Sequence, residues 1–431
     1  MNNPFKLLNK CKVCGNEDLK QVLTLEEQYL SPTFVKSNQN NLLSNIKFPL
    51  NLVLCNTKKN KKACGLLQLK EITESNLLYD QYFYRSATND TMRKDLNDVV
   101  NSCLKIAKPQ VGETIVDIGS NDCTLLNFYG NKFNLIGFEP AKNIKFIDAG
   151  NKIKIINNYF NFADFKENFN NTKVKIITSC AMFYDLEHPK NFVEDIEKIL
   201  DDDGVWCCQI SYLDSMIRFN NFYDICHEHL SYYSLETFES LINQFNLECF
   251  SAETNSVNGG SIRIYICKKN NTKYLTSSNL KKLDILKDEE KKLELKEIDT
   301  YLKYEKTINE LKSKTNLFVE DILSRKKKVF ALGASTKGNI ILQHFGLTKE
   351  KIPYISERNS EKVGLRCLGS DIELISETHA RELNPEAFIV LPWNFKKEIV
   401  ERERKYLENG GKLFFIMPYP HVVTLSGETK V

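Results

Sequence analysis

Two histidines flank a glutamate in the stretch YDICHEHLSYYS, residues 223–234. His227, Glu228 and His229 are residue types that bind a metal ion, move a proton or fill a core. His227 and His229 would lie on one face of a strand, which permits joint metal binding, but no third ligand is close in the sequence. These three roles therefore stay open at this point.

Four cysteines near the amino end have the residue type and part of the spacing of a metal centre. Cys11 and Cys14 form a CxxC pair followed by glycine, an arrangement in which two thiolates bind one tetrahedral ion. Cys55 and Cys64 form a second pair, widened by the insertion NTKKNKKA. We expect the four to bind one structural zinc ion; four buried cysteines without metal are the alternative.

The segment VDIGSNDCTLL, residues 116–126, predicts a strand, a glycine turn and a helix. Only one glycine of a GxGxxG dinucleotide motif is present, which favours S-adenosylmethionine over NAD. The next strand ends in an acid, 22 residues beyond Asp117, that is placed to accept hydrogen bonds from two ribose hydroxyls. A tight turn of any α/β protein is the alternative. The predicted cofactor-binding residues are Asp117, Gly119, Ser120, Asn121 and Glu139.

A second strand–glycine–helix pattern, KKVFALGASTKGNIIL, spans residues 327–342. Ser335 and Lys337 stand at the start of its helix, where backbone amides favour phosphate oxygens. Arg358 follows the next predicted strand. We expect these three residues to bind phosphate oxygens of a ligand, and a purely structural Rossmann-like lobe is the alternative.

Composition places these motifs in a multidomain globular protein. The chain has 431 residues, 42% of them hydrophobic and 27% charged, with a formal net charge of +3. This balanced charge argues against nucleic-acid binding. No apolar stretch reaches the ~20 residues that span a bilayer, and no signal-peptide core is present, so we predict no membrane association and a cytoplasmic location. The 13 cysteines then favour metal binding or burial over disulfides.

Alternating strand and helix patterns predict an α/β fold with parallel sheets. We expect a zinc-binding domain over 1–75, a cofactor-binding domain over 76–270 and a Rossmann-like domain over 329–431. Residues 271–328 contain neither glycine nor proline and predict a connector of one or two long helices.

Taken together, the motifs resemble the nucleotide-sugar C-methyltransferases of bacterial deoxysugar biosynthesis. The resemblance spans nearly the whole chain and is carried by CKVCG, CGLLQL, YFYRSATNDTMR, VDIGSNDCTLL, AMFYDLEHP, HEHLSYYS, NGGSIRIYI, GASTKGN and LPWNF. It implies a zinc-binding domain, a Rossmann-like S-adenosylmethionine-dependent methyltransferase domain and a carboxy-terminal Rossmann-like α/β domain. The implied cofactors are S-adenosylmethionine and a structural zinc ion, and the implied state is a monomer or weak homo-oligomer.

The resemblance also implies a reaction: C-methylation, through an enolate, of the carbon beside the ketone of a nucleotide-diphosphate keto-deoxysugar. The product would be a branched surface or secondary-metabolite sugar. By this resemblance, His229 accepts the proton and Glu228 positions the substrate or polarises the site. Tyr82 or Tyr84 enters the same pocket, and the sequence does not distinguish the two.

This chain departs from the family pattern at three places. Cys123 replaces a usual glycine, the second cysteine pair is widely spaced, and Cys226 replaces the tyrosine that usually precedes HEH. We expect Cys226 and His227 to contact or support the substrate, and a thiol is a weaker hydrogen-bond donor than a phenol. Cys226 therefore leaves a methyltransferase acting on oxygen or nitrogen of a related sugar as the alternative. A non-enzymatic or RNA-associated zinc protein is a third class, which the balanced charge and the intact HEH cluster oppose.

Overall fold

The computed structural model describes residues 4–36, 42–79, 84–88 and 90–431. Its amino-terminal part is a small β-rich unit. The elements of this part are β1 (Phe5–Leu7), β2 (Leu19–Gln28), β3 (Phe34–Lys36), β4 (Phe48–Cys55), β5 (Leu67–Leu69), β6 (Glu71–Thr73) and α1 (Ser75–Tyr79). Strands β2, β4 and β5 pair as antiparallel neighbours in one sheet.

The central part alternates helices with the strands of a seven-stranded sheet. Its elements are α2 (Asp90–Ala107), β7 (Thr114–Ile118), α3 (Thr124–Tyr129), β8 (Asn134–Phe138), β9 (Lys154–Ile156), α4 (Phe162–Phe169), β10 (Val174–Cys180), α5 (Pro189–Ile199), β11 (Leu200–Ser211), α6 (Leu213–Arg218), β12 (Ser231–Tyr232), α7 (Leu235–Ile242), β13 (Leu247–Asn255) and β14 (Ser261–Lys268).

The seven-stranded sheet has the order β13-β14-β11-β10-β7-β8-β9. Strands β11, β10, β7, β8 and β9 run parallel, as the alternating pattern predicts. The expectation of a wholly parallel sheet is wrong at its other edge, where β14 is antiparallel to β11 and to β13. Only a short turn with a 3-10 segment at Val257–Gly259 joins β13 to β14, and a parallel crossover needs a much longer connection.

The remaining elements are two long helices and a second large sheet. They are α8 (Ser277–Lys292), α9 (Ile298–Ser324), β15 (Val329–Leu332), α10 (Thr336–Phe345), β16 (Tyr354–Glu357), β17 (Leu365–Cys367), β18 (Glu373–Ser376), α11 (Glu377–Glu382), β19 (Ala387–Val390), α12 (Lys396–Arg402), α13 (Arg404–Glu408), β20 (Lys412–Phe415), β21 (His421–Thr424) and β22 (Gly427–Lys430). The parallel centre of this sheet, β20-β19-β15-β16-β18, carries antiparallel strands at both edges.

The predicted α/β class is therefore confirmed, with two Rossmann-like sheets. Strand pairing also crosses the predicted domain boundaries. Strand β3 of the amino-terminal part pairs with β17 at the edge of the last sheet, and β12 pairs with β5. The boundaries at 75, 270 and 328 stay predictions. The segments on either side of them contribute side chains to one hydrophobic core, so the core does not mark where one domain ends and the next begins. No helix of the described residues is long and apolar enough to cross a membrane.

Candidate active site and zinc centre

The four predicted zinc ligands come together in the structure. Their sulfur atoms all lie within 4.8 Å of one another, with 3.4 Å from Cys11 Sγ to Cys64 Sγ and from Cys14 Sγ to Cys55 Sγ. Gly15 has a φ of +75°, which permits the tight knuckle after Cys14. Four thiolates at this separation, most of them buried, match the closed tetrahedral set of a structural zinc ion. They leave no open position for catalysis.

The five predicted cofactor-binding residues also come together, around the turn from β7 to α3. Asp117, Gly119, Ser120, Asn121 and Glu139 all line one cavity of about 1230 Å³. Gly119 has a φ of +75°, and its backbone N–H donates to the carbonyl of Phe138 at 2.9 Å. This bond fixes the loop at the carboxyl ends of β7 and β8, where ligands of such sheets bind.

Two buried carboxyl groups, those of Glu139 and Asp117, lie at this loop. Glu139 accepts backbone N–H bonds from Asn121 at 2.9 Å and Ala141 at 2.8 Å, which hold its two oxygens in place. Burial raises the pKa of Glu139, and these backbone donors oppose the rise. Burial also raises the pKa of Asp117 to about 7, although the Thr178 hydroxyl donates to it at 2.6 Å.

Cys123 lies at the start of α3 with a φ of 68° and is buried. This is the left-handed region that favours glycine, so the structure gives a physical reason for the glycine that the family usually has here. The cysteine side chain packs in the core with Leu126 and Tyr129 and is not among the cavity-lining residues.

His229 lines the same cavity as the cofactor loop, beside Tyr184. The two ring centroids are 4.3 Å apart, and the Leu230 N–H donates to the Tyr184 carbonyl at 3.0 Å. Burial lowers the pKa of His229 well below 6.5, and the positive charge of Lys337 lowers it further. The imidazole is therefore neutral near pH 7, the form that accepts a proton.

Glu228 also lines this cavity and is only 7% exposed. Burial raises the pKa of its carboxyl from 4.5 to about 7, against the opposing charge of Lys337 and a contact with the Cys226 thiol. The thiol lies 3.9 Å from Glu228 Oε2, is fully buried and is not among the cavity-lining residues. Cys226 thus contacts the Glu228 carboxyl without lining the cavity.

The contacts of His227 differ from those of His229. Its Nε2 lies 3.4 Å from the Phe48 carbonyl, its ring packs edge-on against the Phe48 ring, and it is not among the lining residues. Burial lowers the pKa of His227 to about 4. Within the described part of the chain, the four cysteines are the one group of three or more metal-ligating side chains close enough to bind an ion.

Of the two candidate tyrosines, only Tyr84 lies within the described residues. Tyr82 lies outside the described residues. Tyr84 lines the cavity, and its backbone carbonyl accepts a hydrogen bond from Asn121 Nδ2 at 3.2 Å. Asn121 Oδ1 in turn accepts from the Ser86 N–H at 3.1 Å. The segment before α2 is therefore tied to the cofactor loop.

Ser335 and Lys337 from the second glycine loop, and Arg358 directly after β16, line the same cavity. Ser335 caps α10 and accepts the Gly338 N–H at 2.9 Å. Lys337 forms an ion pair with the buried Asp224. Arg358 pairs with Glu398 at 3.0 Å and is half-exposed.

Tyr184 and Asp224 are not among the residues for which the sequence predicts a role. Tyr184 belongs to the quoted motif AMFYDLEHP, where the neighbouring Phe183 packs against Trp206 and Phe238 in the core. Asp224 lies within the opening stretch, but its partner lies 113 residues further along the chain. The motif AMFYDLEHP was the available signal for Tyr184, and no sequence signal indicates the pairing of Asp224.

Three family models match the chain in consecutive order. A model described as "Putative zinc binding domain" matches residues 11–79, a "Methyltransferase domain" matches 89–252, and a "C-methyltransferase C-terminal domain" matches 256–420. The C-methyltransferase NovU of Streptomyces niveus is 24% identical over 432 residues, which cover 100% of both proteins.

Solved methyltransferases resemble part of the chain. The plantazolicin methyltransferase BpumL in complex with SAH is 14% identical, covers 42% of this chain and 85% of its own, and has a TM-score of 0.32. An S-adenosylmethionine-dependent methyltransferase from Clostridium acetobutylicum is 14% identical, covers 42% and 93%, and has a TM-score of 0.33. These scores are too low to bear on function.

The zinc-binding and methyltransferase matches agree with the geometry of the two sites. The four cysteines hold a structural zinc ion, and S-adenosylmethionine is the cofactor. The three matches follow one another along the chain, and the similarity to NovU spans its full length, so the chain combines a putative zinc-binding domain, a methyltransferase domain and a C-methyltransferase carboxy-terminal domain, which supports S-adenosylmethionine-dependent C-methylation.

Proposed function

We propose that this enzyme methylates the carbon adjacent to the ketone of a nucleotide-linked keto-deoxysugar. The observation that carries this proposal is the single cavity lined by the cofactor loop, by Glu228 and His229, and by the second glycine loop. Its volume of about 1230 Å³ exceeds the ~300–1,000 Å³ of ordinary small-molecule sites, which supports a site for cofactor and substrate together.

Carbon beside a ketone becomes a nucleophile when it loses a proton and forms an enolate. S-adenosylmethionine, when bound, supplies the electrophilic methyl group. His229 is the proposed base, because its neutral imidazole faces the cavity and accepts a proton without prior ionisation. Asp117, Gly119, Ser120, Asn121 and Glu139 are the proposed cofactor contacts.

The enolate oxygen needs donors as its charge develops. Glu228 with a pKa of about 7 carries its proton through much of the neutral range and donates a hydrogen bond in that form. Tyr184 provides a phenol beside His229, in a site where Cys226 replaces the tyrosine usual before HEH. Tyr84 and Tyr82 stay proposed contributors from the segment before α2.

Ser335, Lys337 and Arg358 are the proposed contacts of the nucleotide diphosphate. Lys337 has a second effect, because its charge lowers the pKa of both Glu228 and His229. His227 and Cys226, which pack behind the cavity, are proposed to support the substrate contacts of their neighbours.

Incubation of nucleotide-linked ketosugars with enzyme and S-adenosylmethionine, followed by mass spectrometry, tests the proposal. A product heavier by one methyl group and lacking one carbon-bound hydrogen beside the ketone is expected. Retention of deuterium placed beside the ketone would instead indicate methylation of oxygen or nitrogen.

The base is tested by His229→Asn, which should slow turnover by about 10²–10⁴-fold while S-adenosylmethionine binding is kept. The half-exposed His379 gives the matched control His379→Asn, which should act as the wild type. Without cofactor, the wild type should exchange the acidic hydrogen of the sugar with heavy water, and the His229 variant should not. Full activity in His229→Asn would overturn the assignment.

A further inference from the structure

The two Rossmann-like halves share a local hydrogen-bond pattern at their glycine loops. In the first half, Gly119 has a φ of +75° and donates its N–H to the Phe138 carbonyl at 2.9 Å. In the second, Gly333 has a φ of +84° and donates to the Ser356 carbonyl at 2.9 Å. In both halves, the acceptor immediately precedes an acid at the end of the neighbouring strand.

That acid is Glu357 in the second half. Glu357 accepts one backbone N–H from the glycine loop, from Ala334 at 2.8 Å, and one from the residue two positions after itself, Asn359 at 2.7 Å. Glu139 has the same two kinds of contact in the cofactor site. Glu357 is 8% exposed and Glu139 is 6% exposed, and both line the cavity.

Each oxygen of such a carboxylate uses one of its two acceptor positions for a backbone N–H. One position on each oxygen is left, so the group accepts two more hydrogen bonds. In Rossmann-like sites, an acid in this place binds ribose hydroxyls, the role proposed for Glu139.

We infer that Glu357 binds the 2′ and 3′ hydroxyls of the nucleoside in the sugar substrate, so that the substrate is a ribonucleoside diphosphate sugar. The inference rests on the proposed function and adds the class of nucleotide to it. The ribose of the substrate and the ribose of the cofactor are then held by equivalent carboxylates in one cavity.

The charges around Glu357 fit the diphosphate that this nucleoside carries. Lys337, Arg358 and Lys362 all line the cavity, and Lys362 Nζ donates to the Ala334 carbonyl at 2.8 Å. The start of α10, a helix of ten residues, points backbone amides toward the same loop. The nucleotide site thus contains cationic side chains for the phosphates and one carboxylate for the ribose.

Calorimetry with the full-length wild-type protein gives the first test, since it needs no variant. GDP, UDP and CDP are each compared with the corresponding 2′-deoxy diphosphate, because the base is not predicted. The ribonucleotide of the preferred base should bind about tenfold more tightly, which is the effect of one hydrogen bond to a charged acceptor. Equal affinity within every pair would overturn the inference and leave the proposed function standing.

A matched pair of variants gives the second test. Glu357→Gln should lower affinity for the preferred ribonucleotide about tenfold and remove its advantage over the deoxynucleotide, with S-adenosylmethionine affinity unchanged. Glu139→Gln should lower S-adenosylmethionine affinity. It should leave the affinity for the ribonucleotide, and its advantage over the deoxynucleotide, unchanged. A Glu357→Gln variant that keeps the discrimination would show a purely structural carboxylate. A wild type that binds none of the six diphosphates would refute the inference, whereas binding of thymidine diphosphate alone would leave the nucleotide-linked substrate standing.

Discussion

Glu228→Gln should remove a pH dependence that the buried carboxyl gives to methyl transfer. Burial raises the pKa of Glu228 from 4.5 to about 7. This difference corresponds to roughly 3 kcal/mol by which the site disfavours the charged form. The carboxyl therefore changes its protonation state near neutral pH.

The size of the effect on rate follows from that pKa. With a pKa of about 7, the protonated fraction of Glu228 falls from roughly nine-tenths at pH 6 to roughly one-tenth at pH 8. If the protonated carboxyl donates to the enolate oxygen, kcat should fall about tenfold over the same range. His229 adds no inflection there, because its pKa lies well below 6.5.

The assay is kcat at saturating substrate and cofactor between pH 6 and 9. The side-chain amide that Glu228→Gln introduces donates a hydrogen bond at every pH, so the variant should have a flat profile through pH 7. A wild-type rate that rises through pH 7 would show that the carboxylate is the active form. An unchanged fall in the Glu228→Gln variant would place the titrating group elsewhere.

Stability gives a readout that is independent of catalysis. The pKa of Glu228 is raised in the folded state, so its contribution is complete below about pH 4.5 and is lost as pH rises through about 7. At pH 8, Glu228→Gln should therefore have a higher free energy of unfolding than the wild type, by up to roughly 3 kcal/mol. Denaturant titrations at pH 5 and pH 8 measure the difference, and an equal effect at both values would contradict the assigned pKa.

Four further predictions concern other parts of the structure. Purified protein should contain about one zinc ion per chain by elemental analysis, and Cys11→Ser should lose zinc together with folded amino-terminal structure, measured by circular dichroism. Lys337→Met should lower the free energy of unfolding by about 3–5 kcal/mol in denaturant titrations, because it leaves the buried Asp224 without its cation, and adding Asp224→Asn should restore much of the loss. Tyr184→Phe should lower kcat with little change in S-adenosylmethionine affinity, whereas an unchanged kcat would remove its hydroxyl from the reaction. Cys123→Gly should raise the thermal midpoint modestly, because about 1 kcal/mol of left-handed backbone strain is relieved, and a fall would show that packing of the cysteine outweighs the strain.

The sequence was most informative where neighbouring residues carry the signal. The Cys11–Cys14 pair and the turn at Gly119 lie within short segments, so the residues that must act together are already adjacent. Apolar runs of strand length predicted β7 and β8, because such runs are stable when both faces of a sheet are covered by helices. The α/β class follows from these local patterns, and the zinc ion and the cofactor follow from them together with the family resemblance. The roles of Glu228 and His229 stay proposals carried by the family resemblance.

Other features depended on contacts between distant segments. The sequence assigned Lys337 to phosphate, but burial of Asp224 against it is set by how the two halves pack. The contact of Tyr184 with His229 and the raised pKa of Glu228 likewise exist only once a cavity has closed around them. The antiparallel β14 follows from a short turn, which an alternating pattern does not reveal.

The equivalence of Glu139 and Glu357 is the clearest case of a feature beyond the sequence. The two glycine loops differ so much in sequence that no internal repeat is visible, whereas their backbone hydrogen bonds match. The physical reason is that a strand–glycine–helix turn is held by main-chain donors and one carboxylate, and most side chains can change around that frame. The sequence by itself therefore determined which elements form and which ions and cofactor they hold. Only the tertiary structure decided which distant side chains share a cavity, because burial and charge pairing depend on the packing of the whole chain.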